Sequence, residues 1–317
     1  MKTRLISVSD LHLLTIKPVC RLDDLTEVQW EKLQEIFNFA YNHKADVLIA
    51  GDISNISNNY HILNHFIQIL RTYKEMGVDV YAVFGQHDMK YRNTEDTNLD
   101  IIASSGLIQI LGSTPEEGKH FKVYGCEWMG SVPEADPNEI NILVVHSPIS
   151  PAALFQGHHY ISIDQFSQEH PEYNLVLCGD VHRTFIEERG GSVFLNSGPL
   201  LRKEADEYSL IHKPGFFYID MSDVKIQFQE VKHRPSSEVI SRTHIEKKKR
   251  KESAASIADT AHFLDELKRR SEGDQTMNIR DRIKQTVVLQ NAPNEVISVL
   301  ECLLNEKSLT QWLEERK

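Results

Sequence analysis

Seven side chains in this sequence have the types and spacing to hold cations. Asp10 and His12 lie two residues apart after a short apolar run, Arg4 to Ser9. Residues two apart on a strand point the same way, so one strand end would offer a carboxylate and an imidazole to a single ion. Asp52 follows the apolar run Asp46 to Ala50 and a glycine, and its two oxygens could bridge two ions. Gln86, after Val78 to Phe84, offers a neutral amide oxygen, and His146 follows Ile142 to Val145. Asp180 and His182 repeat the two-apart arrangement after Leu175 to Cys178. Mixed oxygen and nitrogen donors of this kind suit manganese, iron or zinc better than calcium. Two such cations about 3.5–4 Å apart can clamp the attacking and leaving oxygens of an in-line phosphoryl displacement.

Five apolar runs therefore each end in an Asp/His/Gln cluster. In α/β sheets, ligands gather at the carboxyl ends of the strands, so the five clusters are expected to meet at one edge. Between the strands, Val28 to His43 has helical spacing with Trp30, Leu33, Phe37 and Ala40 on one face, and Tyr60 to Met76 is helical with Gly77 as its stop. Later runs, Ser192 to Leu195, Gly215 to Met221 and Val224 to Val231, alternate like strands of a mixed or antiparallel sheet. Beyond residue 232 the character changes. Residues 233–252 read as a charged linker, and 253–317 as helical, with Ile257, Ala261, Leu264 and Leu267 on one face of a first helix.

A chain of 317 residues can bury a large core, and its 40% hydrophobic and 26% charged residues are ordinary for a globular protein. No stretch reaches the roughly 20 apolar residues of a membrane span, and the N-terminus lacks a signal-like apolar run. Cys20, Cys126, Cys178 and Cys302 form no paired motif, which argues against a disulfide framework and favours a cytoplasmic location. The net charge of −11 is uneven: residues 231–251 carry +6 and residues 252–317 carry −3, leaving −14 on residues 1–230. Such an acidic body argues against a general nucleic-acid binder, though the run Lys247 to Lys251 could make salt-sensitive phosphate contacts. Of the 15 histidines, His61, His65, His158 and His159 read as surface or groove residues.

Taken together, Asp10/His12, Gly51-Asp52, Gly85-Gln86-His87-Asp88, His146 and Gly179-Asp180-Val181-His182 resemble the signature of the calcineurin-like metallophosphoesterases over roughly residues 1–230. The resemblance implies an α/β (α+β) four-layer sandwich, two mixed β-sheets flanked by helices. It implies a metallophosphoesterase domain over 1–232, with one metal held by Asp10, His12 and His182. The second would be held by Gln86, His146 and Asp180, with Asp52 bridging. By the same resemblance His87 would contact the phosphate and assist the leaving group, and Asp88 would orient His87. Two positions depart from the family pattern: Gln86 stands for an asparagine and Asp180 for a histidine. Both fall on the same inferred metal, and the added carboxylate favours Mn2+ or Mg2+ there over Zn2+, with Fe2+ a further candidate.

Within that family the block Ser7 to Leu13 and the segment Asn196-Ser-Gly-Pro-Leu-Leu-Arg202 resemble the SbcD-like DNA-repair nucleases. This branch implies a DNA nuclease working with an SbcC-like coiled-coil ATPase bound through the C-terminal region, which could also cap DNA, and a homodimer. Asn55 departs from that branch, which often carries a histidine three residues after the Gly-Asp aspartate. The alternatives are a small-molecule phosphodiesterase or phosphatase, and a non-catalytic scaffold whose second metal site has decayed.

Overall fold

Strand after strand in this chain is apolar on both faces, which is the pattern of sheets buried on both sides. The computed structural model describes residues 1–155, 157–223 and 225–247. In chain order the first half comprises β1 (Arg4–Val8), α1 (Leu25–His43), β2 (Asp46–Ile49), α2 (Tyr60–Glu75), β3 (Val80–Ala82), α3 (Asn98–Ser104) and β4 (Gln109–Ile110). There follow β5 (Glu116–Glu117), β6 (Lys122–Cys126), β7 (Asn141–His146), β8 (Ile149–Ser150), β9 (Ile161–Ser162), α4 (Ile163–Glu169), β10 (Leu175–Gly179), β11 (Phe185–Arg189) and β12 (Ser192–Asn196). The last elements are α5 (Glu207–Ile211), β13 (Gly215–Asp220), β14 (Lys225–Glu230) and α6 (Ser236–Val239).

Two six-stranded mixed sheets result, in the orders β14-β13-β1-β2-β3-β4 and β11-β12-β10-β7-β6-β5. The centre of the first is parallel, β1 to β4, and so is the centre of the second, β6, β7, β10 and β12. Alternation sorts the side chains into layers. On β2, Val47 and Ile49 face α1 and α2 in one core, while Leu48 joins a second core with Ile142, Val144, Leu175 and Leu177 of the other sheet. On β7 and β10, Leu143, Val145, Val176 and Cys178 face α4 in a third core. The layers are therefore helix, sheet, sheet, helix, as the sequence led one to expect. The inward helix face of Trp30, Leu33, Phe37 and Ala40 is buried, and Gly77 takes a left-handed φ of 84° just past α2.

Residues Met1–His244 form one compact unit. Within the stretch read as a linker, α6 packs back: Leu22 N donates to Val239 O at 3.0 Å, Ser241 N donates to Cys20 O at 2.8 Å, and Val239 and Ile240 are buried. The expected helical region 253–317 and most of the lysine run lie outside the described residues. No helix among the described residues is long and apolar enough to cross a membrane.

Candidate metal centre

The parallel strands β1, β2, β3, β7 and β10 deliver Asp10, His12, Asp52, Gln86, His146, Asp180 and His182 to one edge. Asp10 and His12 do not arrive there by strand alternation. The chain leaves β1 at Val8, and both residues adopt left-handed backbone, φ 52° and 45°. Asp52 (φ 53°) and Asp180 (φ 81°) do the same. Asp and His tolerate this region better than most side chains, yet each instance costs on the order of 1 kcal/mol. Main-chain bonds hold the turns: Asp10 N donates to Gly51 O at 3.2 Å, His12 N to Asp52 O at 2.9 Å, and Asn55 N to Leu13 O at 2.9 Å. The β1 and β2 loops thus run together, and their strain falls on ligand positions.

Two groups of donors stand out. In the first, His12 Nε2 lies 3.0 Å from His182 Nε2, 3.6 Å from Asp52 Oδ2 and 4.0 Å from Asp10 Oδ1. His182 Nε2 is 3.5 Å from Asp10 Oδ1. In the second, His146 Nε2 is 3.6 Å from Asp52 Oδ1, 3.9 Å from Asp180 Oδ1 and 2.6 Å from Gln86 Oε1. Asp52 turns one oxygen to each group, as a bridging ligand must.

The donor chemistry fits cations in both places. His146 Nδ1 must donate to Ala50 O, 2.7 Å away, so in the neutral ring Nε2 carries a lone pair. That lone pair faces the acceptor oxygen of Gln86, an opposition that an electropositive partner would relieve. Asp10 Oδ2, His12 Nδ1 and Asp52 Oδ2 are buried without hydrogen-bond partners, which is rare for such atoms. Burial pushes the Asp52 carboxyl up to about 8, with the charge of Asp10 adding to the effect. Burial also drives His12 well below its ordinary value, which keeps it in the neutral, ligating form. For His182, burial acts downward, but the hydrogen bond and charge of Asp10 outweigh it and raise the group, so a proton and a cation would compete for its ring nitrogen. Gln86 also donates its amide to Asp180 Oδ1 at 2.8 Å, so the two departures from the family pattern pair with each other. Divalent cations held by these residues would supply a water of lowered pKa and positive charge opposite a phosphate.

His87 sits beside this cluster, its side chain 43% exposed and its Nε2 4.0 Å from Asp52 Oδ2. Its Nδ1 faces the carbonyl of Asn55 at 3.2 Å and must donate to it, which leaves Nε2 as the atom that can exchange a proton with a substrate. The expected pairing of Asp88 with His87 is replaced by another arrangement. The buried Asp88 carboxylate accepts from Ile53 N at 3.2 Å, Ser54 N at 3.1 Å and Gly85 N at 3.1 Å. It therefore staples the β2 and β3 loops, and Asn55 O orients the imidazole.

Sequence reading missed Lys203. Its Nζ donates to Asn55 Oδ1 at 3.1 Å. Burial lowers it to about 8, against the opposing pull of Asp10 and Asp52. The residue follows directly on the segment 196–202, and that segment is tied to the metal strand. Ser9 N donates to Ser197 Oγ at 2.9 Å and Leu200 N to Asp10 O at 3.2 Å. Replacing Lys203 with alanine is expected to lower kcat/KM for an anionic diester roughly 100-fold. A change under about threefold in steady-state kinetics would show that it plays no part.

The glycines of the signature have a packing reason. A Cβ on Gly179 would lie 2.0 Å from Ala50 O and 2.6 Å from His146 Nδ1, and one on Gly85 would lie 2.2 Å from Asp52 Oδ1. These loops pass too closely for any side chain. Gly179→Ala is expected to cost about 3 kcal/mol or more in chemical denaturation, because main chain must move to admit one methyl. Of the other histidines, His65 stacks on Trp30 with ring centroids 4.1 Å apart, and His158 stacks on Tyr160 at 5.2 Å; both serve packing.

Comparison with curated proteins returned no match. Several solved structures are similar at low identity. TT1561 of Thermus thermophilus is 14% identical over 72% of this chain and 99% of its own, with a TM-score of 0.47. Hypothetical protein PH1004 from Pyrococcus horikoshii OT3 is 12% identical over 95% of this chain and 98% of its own, TM-score 0.43. The phosphopantetheinyl hydrolase PptH from Mycobacterium tuberculosis is 10% identical over 61% of this chain and 88% of its own, TM-score 0.40. The calcineurin-like phosphoesterase family model matches residues 3–184, more than half of the sequence, with its first and last matched segments carrying Asp10 and His182. With that match and the converging ligand loops, the chain belongs to the calcineurin-like phosphoesterases, a family of metal-dependent phosphoester hydrolases.

Proposed function

We propose that this chain is a two-metal phosphodiesterase acting on DNA, of the SbcD-like nuclease type, with Mn2+ as its metal. The observation that carries the reading is the placing of the segment 196–202. The block that resembles the nuclease branch is hydrogen-bonded to Ser9 and Asp10, in the midst of the ligand set. In this reading Asp10, His12 and His182 hold one cation and Gln86, His146 and Asp180 the other, with Asp52 between them. His87 protonates the leaving oxygen, and Lys203 neutralises phosphate charge at the position where that branch often relies on a histidine. The C-terminal region would engage an SbcC-like ATPase, the complex being a dimer of the chain in the cytoplasm.

A small-molecule diester is the second reading. It is favoured by the cavity of about 290 Å3 that lies beside Lys203 and is lined by Leu13, Ile16, Asn55 and Asn59. Its size is that of a small ligand site rather than a duplex groove.

The deciding experiment is Mn2+-dependent cleavage of linear double-stranded DNA by the purified chain, beside hydrolysis of a small chromogenic diester, with His87→Ala as control. Cleavage lost in the control supports the nuclease. Diester hydrolysis without DNA cleavage, with or without the ATPase partner, would shift the assignment to a small-molecule substrate.

A further inference from the structure

A second concentration of charge lies away from the metal ligands. A pocket of about 470 Å3 opens between α1, the Arg202 loop and residues 232–234. Its cations are Arg21, Lys32, Arg202, Lys232 and Arg234. Three of them, Arg21, Lys32 and Arg202, are only 5%, 5% and 6% exposed. Buried charges are normally paired with opposite charge. Arg21 is paired: its guanidinium grips both oxygens of Asp23 at 2.8 and 2.7 Å. The other two donate to main-chain carbonyls, Lys32 Nζ to Lys232 O at 3.2 Å and Arg202 Nη2 to Arg234 O at 2.5 Å. Among the described residues neither pairs with a carboxylate. Glu31 and Glu35 also line the pocket, and Glu35 accepts from Lys232 N at 3.0 Å. Cations still outnumber carboxylates five to three, and three of the five come from residues 1–230, which are strongly acidic as a whole. Burial, with the charge of Arg202, pushes Lys32 down to about 7, and burial, with Arg21, pushes Arg202 down to about 10. These groups repel one another, and the charges of Glu35 and Asp23 offset that only in part. Leu25, Val28 and Val239 supply an apolar wall opposite.

We propose that this pocket binds the di- or triphosphate group of a small molecule, with Lys32 and Arg202 as its buried contacts. The volume lies in the range of small-ligand sites, and buried cations recessed beneath an exposed rim of Lys232 and Arg234 suit a compact anion better than a duplex backbone. Phosphate oxygens would provide the acceptors that main-chain carbonyls supply only singly. The inference does not rest on the substrate proposed above, since the pocket shares no ligand residue with the metal centre.

The test is thermal unfolding of the full-length chain in excess chelator, with inorganic pyrophosphate and with ADP as separate arms. Chelation keeps either anion from binding through metal. At about 100 times its dissociation constant, either anion is expected to raise the melting temperature by about 5 °C or more. Lys32→Met should abolish the rise, and Lys203→Ala should keep it. Lys32→Met should also melt higher than the parent without ligand, because it removes a buried, repelled charge. If that variant fails to fold, Lys232→Gln on the exposed rim decides, with an expected loss of affinity of several fold. A larger rise with ADP than with pyrophosphate would identify a nucleotide as the source of the phosphates. No rise in either arm would overturn the proposal and leave the cations as staples for residues 232–234. A rise lost in Lys203→Ala but kept in Lys32→Met would overturn it too, by placing the anion in the catalytic cleft.

Discussion

Asp52→Asn is expected to abolish metal-dependent diester hydrolysis, with kcat/KM down about 10,000-fold, and to raise the melting temperature of the metal-free chain. The two halves of this result share one cause. Asp52 presents Oδ1 to His146 and Oδ2 to His12, at 3.6 Å each. It is the side chain through which both ligand groups meet, and an amide in its place cannot supply two anionic oxygens. The same carboxylate is fully buried, and without cations its ionisation is opposed by burial and by Asp10, which is why it rises to about 8. Folding the metal-free chain at neutral pH therefore works against a penalty on the order of a few kcal/mol, which the amide removes. Kinetics on a small diester and thermal unfolding in chelator check the two halves. A variant that kept about a tenth of the activity would show that Asp52 does not bridge. A variant that melted lower in chelator would show that the buried carboxylate is compensated within the protein itself.

His87→Ala is expected to reduce kcat about 1,000-fold while leaving cation content and melting temperature close to the parent's. Its imidazole is 43% exposed and tied by a single bond to Asn55 O, so little packing is lost. Its Nε2, however, also lies near His12 and Asp52 in a grouping that could hold an ion. Metal analysis of the variant separates the roles. Activity lost with full cation content marks a proton carrier, whereas a cation lost together with activity would make His87 a ligand and end the leaving-group assignment.

The cluster of candidate ligands was legible because each member closes an apolar run. A buried strand cannot end in Asp or His without those groups meeting something polar, so Asp52, His146 and Asp180 announced themselves. The manner of arrival was not legible. Asp10-Leu-His12 has strand-like spacing, and only the structure shows two left-handed residues set by bonds to the neighbouring loop. Asp88 misled for a related reason. Adjacent to His87 in sequence, it reads as that residue's partner, yet its oxygens are used up on three backbone amides of converging loops. Lys203 and the recessed Arg21 and Lys32 of the second pocket carry no sequence motif, since their environment is made by residues far along the chain. Residues 109–117 gave no signal either, because β4 and β5 are two residues long and show no period to read.

The candidate ligands are shared out between the two sheets. Asp10, His12, Asp52 and Gln86 follow strands of one, while His146, Asp180 and His182 close strands of the other. Beneath them the sheets touch through aliphatic and aromatic side chains such as Leu48, Val144, Leu177 and Phe217. An interdigitated seam of that kind resists separation, but a change of side-chain volume within it is passed on as a small shift of one sheet against the other. Coordination is far less forgiving of a small displacement. Cation affinity in this chain is consequently a gauge of alignment between its two halves. A substitution deep in the seam, far from any ligand, would register first as weakened metal loading and only later as loss of fold.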